Sequence, residues 1–382
     1  MTPGTATDNR TKFLELESIR GLAALLVVFY HMPSWNAALL DVGFIRNSYL
    51  MVELFFVLSG FVIYNAYAAG ITTAQQLWRF QLLRLGRLYP VHLLFLLFYL
   101  GVEVTKYLAY VKMGATTANT PFRENGLTAF LQQILLLHAV GPTGNTQTFN
   151  IPSWSISVEF YTYLLFGAVV LVAKSKRNYL FATLFLLSIT LLASHAALGF
   201  SDLLKCTTGF FLGCLIGVLN ARADMRVPAS LSVLALIALA VFLQFKSVPE
   251  QDLLIYACSA LLILGLVRSQ RGLVKRVLNW RVLTWLGTIS YSIYMAHSAV
   301  LWVLNQLLRG ILQPNAFTGT VTTPQLSAPA AAVVITIAIL VVLAASQLTY
   351  MWIEKPLREW SRKVILGSTR SSNNSRSFGV SA

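Results

Sequence analysis

Arg20 and His31 stand eleven residues apart in an otherwise apolar segment. On an α-helix that separation is three turns plus ~20° and a rise of ~16 Å, so both side chains share one face at different depths. An imidazole there can take a proton from a hydroxyl, and a guanidinium can hold an anion. Each also has a plainer reading: an arginine reaching for an interface, and a histidine bonded to a carbonyl. Arg84 and Arg87, followed by Leu88, Tyr89 and Pro90, are three apart and share a helix face. Their planar forks suit phosphate, or they simply supply the positive charge that orients a membrane protein. Past Pro152 runs Trp154-Ser155-Ile156-Ser157-Val158-Glu159. Glu159 falls about two turns into its helix, at a depth like that of His31, and a carboxylate beside an imidazole equips a general base. The plainer reading is an interfacial tryptophan and a carboxylate favoured by the helix dipole. The stretch Leu286 to His297 is rich in hydroxyls, and Tyr294 and His297 are placed to face one cavity, whereas Ser290 and Ser292 read as interhelical packing residues. His92, His138 and His195 have no partner in the sequence and read as structural. Cys206, Cys214 and Cys258 show no disulfide or zinc spacing. No metal site is expected.

The elements that position these residues are membrane helices. Of 382 residues, 56% are hydrophobic and 11% charged, against ~25% charged in a soluble globular chain. Apolar runs of spanning length recur. The expected fold is all-α: a polytopic bundle of about ten transmembrane helices at roughly 16–33, 49–68, 88–112, 153–173, 179–198, 203–220, 229–245, 252–267, 283–308 and 328–353. Residues 1–12 are expected to be disordered, 13–365 to form the transmembrane domain, and 366–382 to be a disordered cytoplasmic tail. The first apolar segment lacks a clear cleavage site and reads as a permanent helix. The net charge of +15 lies in short clusters between apolar runs, which argues for membrane topology rather than nucleic acid.

The segment 126–140 is too short for a comfortable span. If it does not cross, the clusters Arg79/Arg84/Arg87, Lys174/Lys176/Arg177, Arg222/Arg226, Arg268/Arg271/Lys275/Arg276 and Lys355/Arg358/Arg362/Lys363 all fall on one side. The positive-inside rule then gives ten crossings, both termini cytoplasmic, and a short or re-entrant helix near 126–140.

Taken in order, these pieces resemble the acyltransferase-3 family of membrane O-acyltransferases. The matching residues are Ser18 to Ala24 with His31, Glu53 to Phe61, Arg84 and Arg87 with Leu88-Tyr89-Pro90, Trp154 to Glu159, Leu286 to His297, and Ile353-Glu354-Lys355-Pro356. Glu53 fills a slot that is often Asp in that family. The resemblance implies a multi-pass protein of a bacterial inner (plasma) membrane. It would move an acetyl group from cytoplasmic acetyl-CoA to a hydroxyl of an extracytoplasmic polysaccharide or glycolipid. His31 carries over as catalytic, with Glu159 beside it, and Arg20, Arg84 and Arg87 as donor-binding residues. Trp154, Ser157, Tyr294 and His297 are expected to meet the acceptor. Polysaccharide biosynthesis proteins are expected partners. Some relatives carry a C-terminal soluble esterase-like domain. This sequence ends soon after its last helix, so a second transfer step is expected to fall to another protein or to be unnecessary. Direct transfer and a covalent acyl-histidine both stay open, as do the acceptor's identity and the choice of acetyl over a longer acyl group. The rival reading is a transporter or flippase of a lipid-linked glycan, for which no internal repeat is visible.

Overall fold

In the computed structural model, residues 13–114, 120–222, 226–269, 272–312 and 323–377 are described, with side chains through 367. Sixteen α-helices follow one another: α1 (Leu14–Tyr30), α2 (Ala37–Leu40), α3 (Gly43–Arg46), α4 (Met51–Tyr67), α5 (Ala74–Met113), α6 (Leu127–Ile134), α7 (Trp154–Ala173), α8 (Arg177–Ala193), α9 (Ser201–Arg222), α10 (Ala229–Phe245), α11 (Leu254–Arg268), α12 (Leu273–Leu278), α13 (Arg281–Thr288), α14 (Ser290–Leu312), α15 (Ala328–Thr349) and α16 (Lys355–Ser377). Among the described residues there is no strand, only an isolated bridge between Val227 and Ser269. Among the described residues, six helical segments are long and apolar enough to cross a membrane: Ser48–Tyr67, Ala74–Met113, Ile151–Ala193, Ser201–Arg222, Pro249–Arg268 and Ala328–Gly367. Exposed Leu, Val, Ile and Phe side chains along α8, α10 and α15 give these helices a surface whose natural solvent is lipid.

The third helix differs from expectation. A span over 88–112 was anticipated, with Arg84 and Arg87 in the preceding loop. Instead α5 starts at Ala74, where Thr73 and Gln76 form a capping box. It continues for 40 residues with Pro90 in its interior, ~60 Å in all. The two arginines therefore ride on a helix whose neighbours fix their direction. The segment near 126–140 forms only the eight-residue α6 followed by turns, ~12 Å of helix, as its length suggested. The helix anticipated at 283–308 breaks at Ile289 into α13 and α14. At the far end, Tyr350–Glu354 is a wide π turn, a feature frequent at functional sites. α16 carries on through 366–377, part of the segment expected to lack order. Residues 1–12 and the loop cores 115–119 and 313–322 lie outside the described residues.

Close backbone approaches hold the centre. α1 crosses α13 where Gly21 meets Leu286 and Gly287, and α4 crosses α9 where a methyl group on Gly60 would overlap the Phe210 carbonyl. One large core spans α1, α4, α7, α9 and α11, and a second gathers Trp35, Ile289, Ile293 and Val342.

Candidate active site

Four helices enclose a cavity of about 450 Å³, its mouth included. α1 contributes Arg20, α4 Ser59 and Phe55, α7 Ser155 and Glu159, and α14 Ser290, Tyr291 and Tyr294. The Glu159 carboxylate accepts from the Ser59 hydroxyl at 2.6 Å and from the Tyr163 hydroxyl one turn along. Arg20 makes no hydrogen bond or ion pair among the described residues. It lies within electrostatic range of Arg87 and Glu159. Arg87 likewise has no hydrogen bond or ion pair among the described residues. Arg84 donates to the Tyr67 hydroxyl at 2.7 Å and stacks over the Tyr67 ring at 5.0 Å. The arginines thus form one cluster, in which Arg84 is tied down and the other two keep their donors free. Glu354, delivered by the π turn and only 2% exposed, accepts from Ser292 at 2.7 Å and lies in range of Arg87 and Arg20. The sequence motif around Glu354 gave no sign of this role, because a π turn changes which face a residue occupies.

The imidazoles lie beyond Tyr294. His31 follows the last residue of α1 and bonds the Val27 carbonyl through Nδ1 at 3.0 Å. Its ring packs against His297, with centroids 4.9 Å apart. His297 is fully buried, bonds the Ile293 carbonyl, and leaves Nε2 without a partner. The expected partnership of Glu159 with His31 is not formed by hydrogen bonding: the carboxylate belongs to the Arg20 cavity and the imidazole to a histidine pair. Equal depth along two helices did not fix lateral position. Tyr294 stands between the two compartments. It donates to the Pro152 carbonyl at 2.8 Å, accepts from Ser155 at 2.9 Å, and lies edge-on to Phe55 at 5.9 Å.

Two residues expected to meet the acceptor have these contacts within the protein. Ser157 donates to Leu136 O at 2.6 Å and accepts from Ala139 N, so its hydroxyl anchors the turn after α6, and Ser155 lines the cavity instead. Trp154 packs edge-on to Phe56, with the Lys205 ammonium 5.8 Å over its ring. His92 and His138, which lacked partners in the sequence, stack in parallel at 6.0 Å and bind Gln133 and Ser153. Cys206 and Cys214 are buried and free. No group of three or more metal-ligating side chains occurs among the described residues.

A family model described as an acyltransferase domain, acyltransferase-3, matches residues 13–346. The chain belongs to the acyltransferase-3 family. Among curated proteins it is similar to O-acetyltransferase OatA of Staphylococcus aureus, 24% identical in an alignment 324 residues long that covers 76% of this chain and 51% of that protein. Peptidoglycan O-acetyltransferase OatA of Listeria monocytogenes is 22% identical over 78% of this chain and 51% of its own length. The putative peptidoglycan O-acetyltransferase YrhL of Bacillus subtilis is 22% identical over 92% and 56%. The chain spans about half the length of these curated relatives. No solved structure gives a significant match. The matched region contains the cavity, the arginine cluster and both histidines of the pair.

Proposed function

We propose that this acyltransferase-3 protein moves an acetyl group from cytoplasmic acetyl-CoA to a hydroxyl of an extracytoplasmic glycan, at a bacterial inner membrane. The observation that carries the reading is the pair of unbonded arginines, Arg20 and Arg87, in the bundle, with the His31–His297 pair further along the same helix, α1. A guanidinium without a partner inside a membrane bundle is costly. Phosphates of coenzyme A supply the missing acceptors, and Arg84, held by Tyr67, adds a third charge. The relatives named as peptidoglycan O-acetyltransferases favour an amino-sugar polymer as acceptor.

The bound thioester supplies an activated acetyl carbon. His31, its Nδ1 engaged by the Val27 carbonyl, presents Nε2 to take the proton from the acceptor hydroxyl. The new carbon–oxygen bond forms as the carbon–sulfur bond breaks, and the proton passes from the imidazole to the leaving thiolate. His297, packed on His31, keeps that ring from turning away.

The topology proposed with this is ten crossings with both termini cytoplasmic. Six segments satisfy length and hydropathy outright. α10 is a shorter apolar helix, and α1, 17 residues long, also carries Glu15, Glu17 and Arg20. The test is release of free thiol from acetyl-CoA by membranes holding the protein, with and without soluble glycan strands. Acceptor-dependent thiol, lost in His31→Ala while the variant stays in the membrane, is the expected result. Full transfer by His31→Ala removes that imidazole from the mechanism, and no thiol release by the native protein defeats the reading.

A further inference from the structure

The cavity has two unlike ends. At one of them Ser59 of α4 and Glu159 of α7 are joined by a hydrogen bond of 2.6 Å, with Arg20 in electrostatic range of the carboxylate. One or two turns back along the same helices, Val52, Phe55, Phe56 and Ile156 wall the other end. Two hydroxyls reach that apolar end, and both are committed within the protein: Tyr294 donates to the Pro152 carbonyl, and Ser155 donates to Tyr294. Core packing sets the walls. Val52, Phe56 and Ile156 are buried. Phe56 lies edge-on to Trp154 at 6.0 Å, and Phe55 edge-on to Tyr294 at 5.9 Å. From behind, α9 comes so close that a methyl group on Gly209 would meet Phe56 Cβ at 2.8 Å. These rings have little room to yield.

We propose that the apolar end is the acyl pocket, which seats the carbon chain of the thioester and restricts transfer to a short, uncharged acyl group, with Val52 and Phe55 setting the length. This rests on the transferase reading above. Burial of each added methylene favours a longer chain, so length is limited only where a wall refuses it. Packed rings refuse it, because an oversized group forces side chains and backbone out of place. Charge is refused for a different reason. A terminal carboxylate at that end finds no free donor, since the Ser155 and Tyr294 hydroxyls are spent on each other and on Pro152, and a buried charge without a partner is costly. A void left by imperfect packing would be apolar throughout. This one runs from an arginine and a carboxylate to an apolar blind end, as a donor with a charged head and a small apolar tip requires.

The test uses the full chain in lipid nanodiscs, peptidoglycan glycan strands as acceptor, and acetyl-, propionyl-, butyryl- and succinyl-CoA as donors, read as acceptor-dependent thiol release. The native protein should lose about tenfold or more in kcat/KM between acetyl- and butyryl-CoA, the scale on which a fitted pocket discriminates one or two methylenes. Succinyl-CoA should give no acceptor-dependent thiol. Phe55→Ala should raise the butyryl-to-acetyl ratio of kcat/KM about tenfold, and Val52→Ala the propionyl-to-acetyl ratio by a similar factor. Damage to the fold lowers all donors alike and does not move these ratios. A native protein that uses butyryl- or succinyl-CoA as well as acetyl-CoA, or ratios unmoved in both variants, overturns the pocket and leaves the transferase reading standing. If the native protein releases no thiol from any donor, that reading fails and this one falls with it. Should Phe55→Ala be inactive with every donor, the native donor series and Val52→Ala decide.

Discussion

Arg20 and Arg87 carry the donor half of the reading because, among the described residues, only the longer-range charge of Glu159 and Glu354 meets them. If their donors meet the phosphates of coenzyme A, each truncation removes a charge-assisted hydrogen bond worth about 1.5–3 kcal/mol. Arg20→Ala and Arg87→Ala should then raise KM for acetyl-CoA by roughly 10- to 100-fold each, read from initial rates at fixed acceptor. Arg84→Ala tests a different contact, since Arg84 is already bonded to Tyr67, and a smaller rise is expected. Arg20, His31, Arg84 and Arg87 were legible in the sequence because ionisable groups stand out in apolar runs. The partnerships were not. His31 meets His297, at the other end of the chain, and only packing decides that. Ser155 and Ser157 are two residues apart, hence ~200° around the helix, so one must face the cavity and the other away. Nothing local says which.

At the scale of elements, the motifs proved to be contact points as much as chemical ones. Gly21, beside Arg20, lets α1 lie against α13 at Gly287, so the glycine places the arginine. Gly60 does the same for α4 against α9 and thereby sets Ser59 against Glu159. A side chain at position 60 would collide with backbone rather than with a flexible tip, and overpacking of this kind costs about 1–3 kcal/mol or more. Gly60→Val should therefore lower the thermal midpoint in detergent and weaken activity together. Gly101→Ala, which meets nothing within 4 Å, should leave the midpoint level or raise it slightly. Most helix positions could be read from hydropathy. The start of α5 could not, because Pro90 looks like a first-turn proline and is in fact interior, while the true signal, the Thr73–Gln76 capping box, lies well upstream among polar residues.

For the whole molecule, contacts sort the helix ends into two groups. Arg177 bonds the Ala68 carbonyl, Arg268 the Leu219 carbonyl, and Lys275 pairs with Glu15. These ends lie together, away from the group in which Tyr30 packs on His31 and Tyr49, and Tyr49 and Lys246 reach Asp252. The basic clusters at 174–177, 268 and 275–276 thus share the end opposite His31, the arrangement expected of a cytoplasmic face. Single cysteines test it. With Cys206, Cys214 and Cys258 replaced by alanine, Ser247→Cys should react with an impermeant maleimide in intact cells, and Ser175→Cys only after lysis. The reverse pattern would invert the donor and acceptor faces.

Tyr294, clasped to Pro152 and Ser155 and backed by Phe55, has a consequence of another kind. A wet path from the arginine cavity to the histidine pair would make a leak, and a membrane under ~100 mV drives each stray charge with about 2.3 kcal/mol. The phenol closes the way between them in this structure, so the thioester can reach His31 only when that ring turns aside, and Tyr294→Ala should show as a passive proton current in liposomes that exceeds that of the native protein.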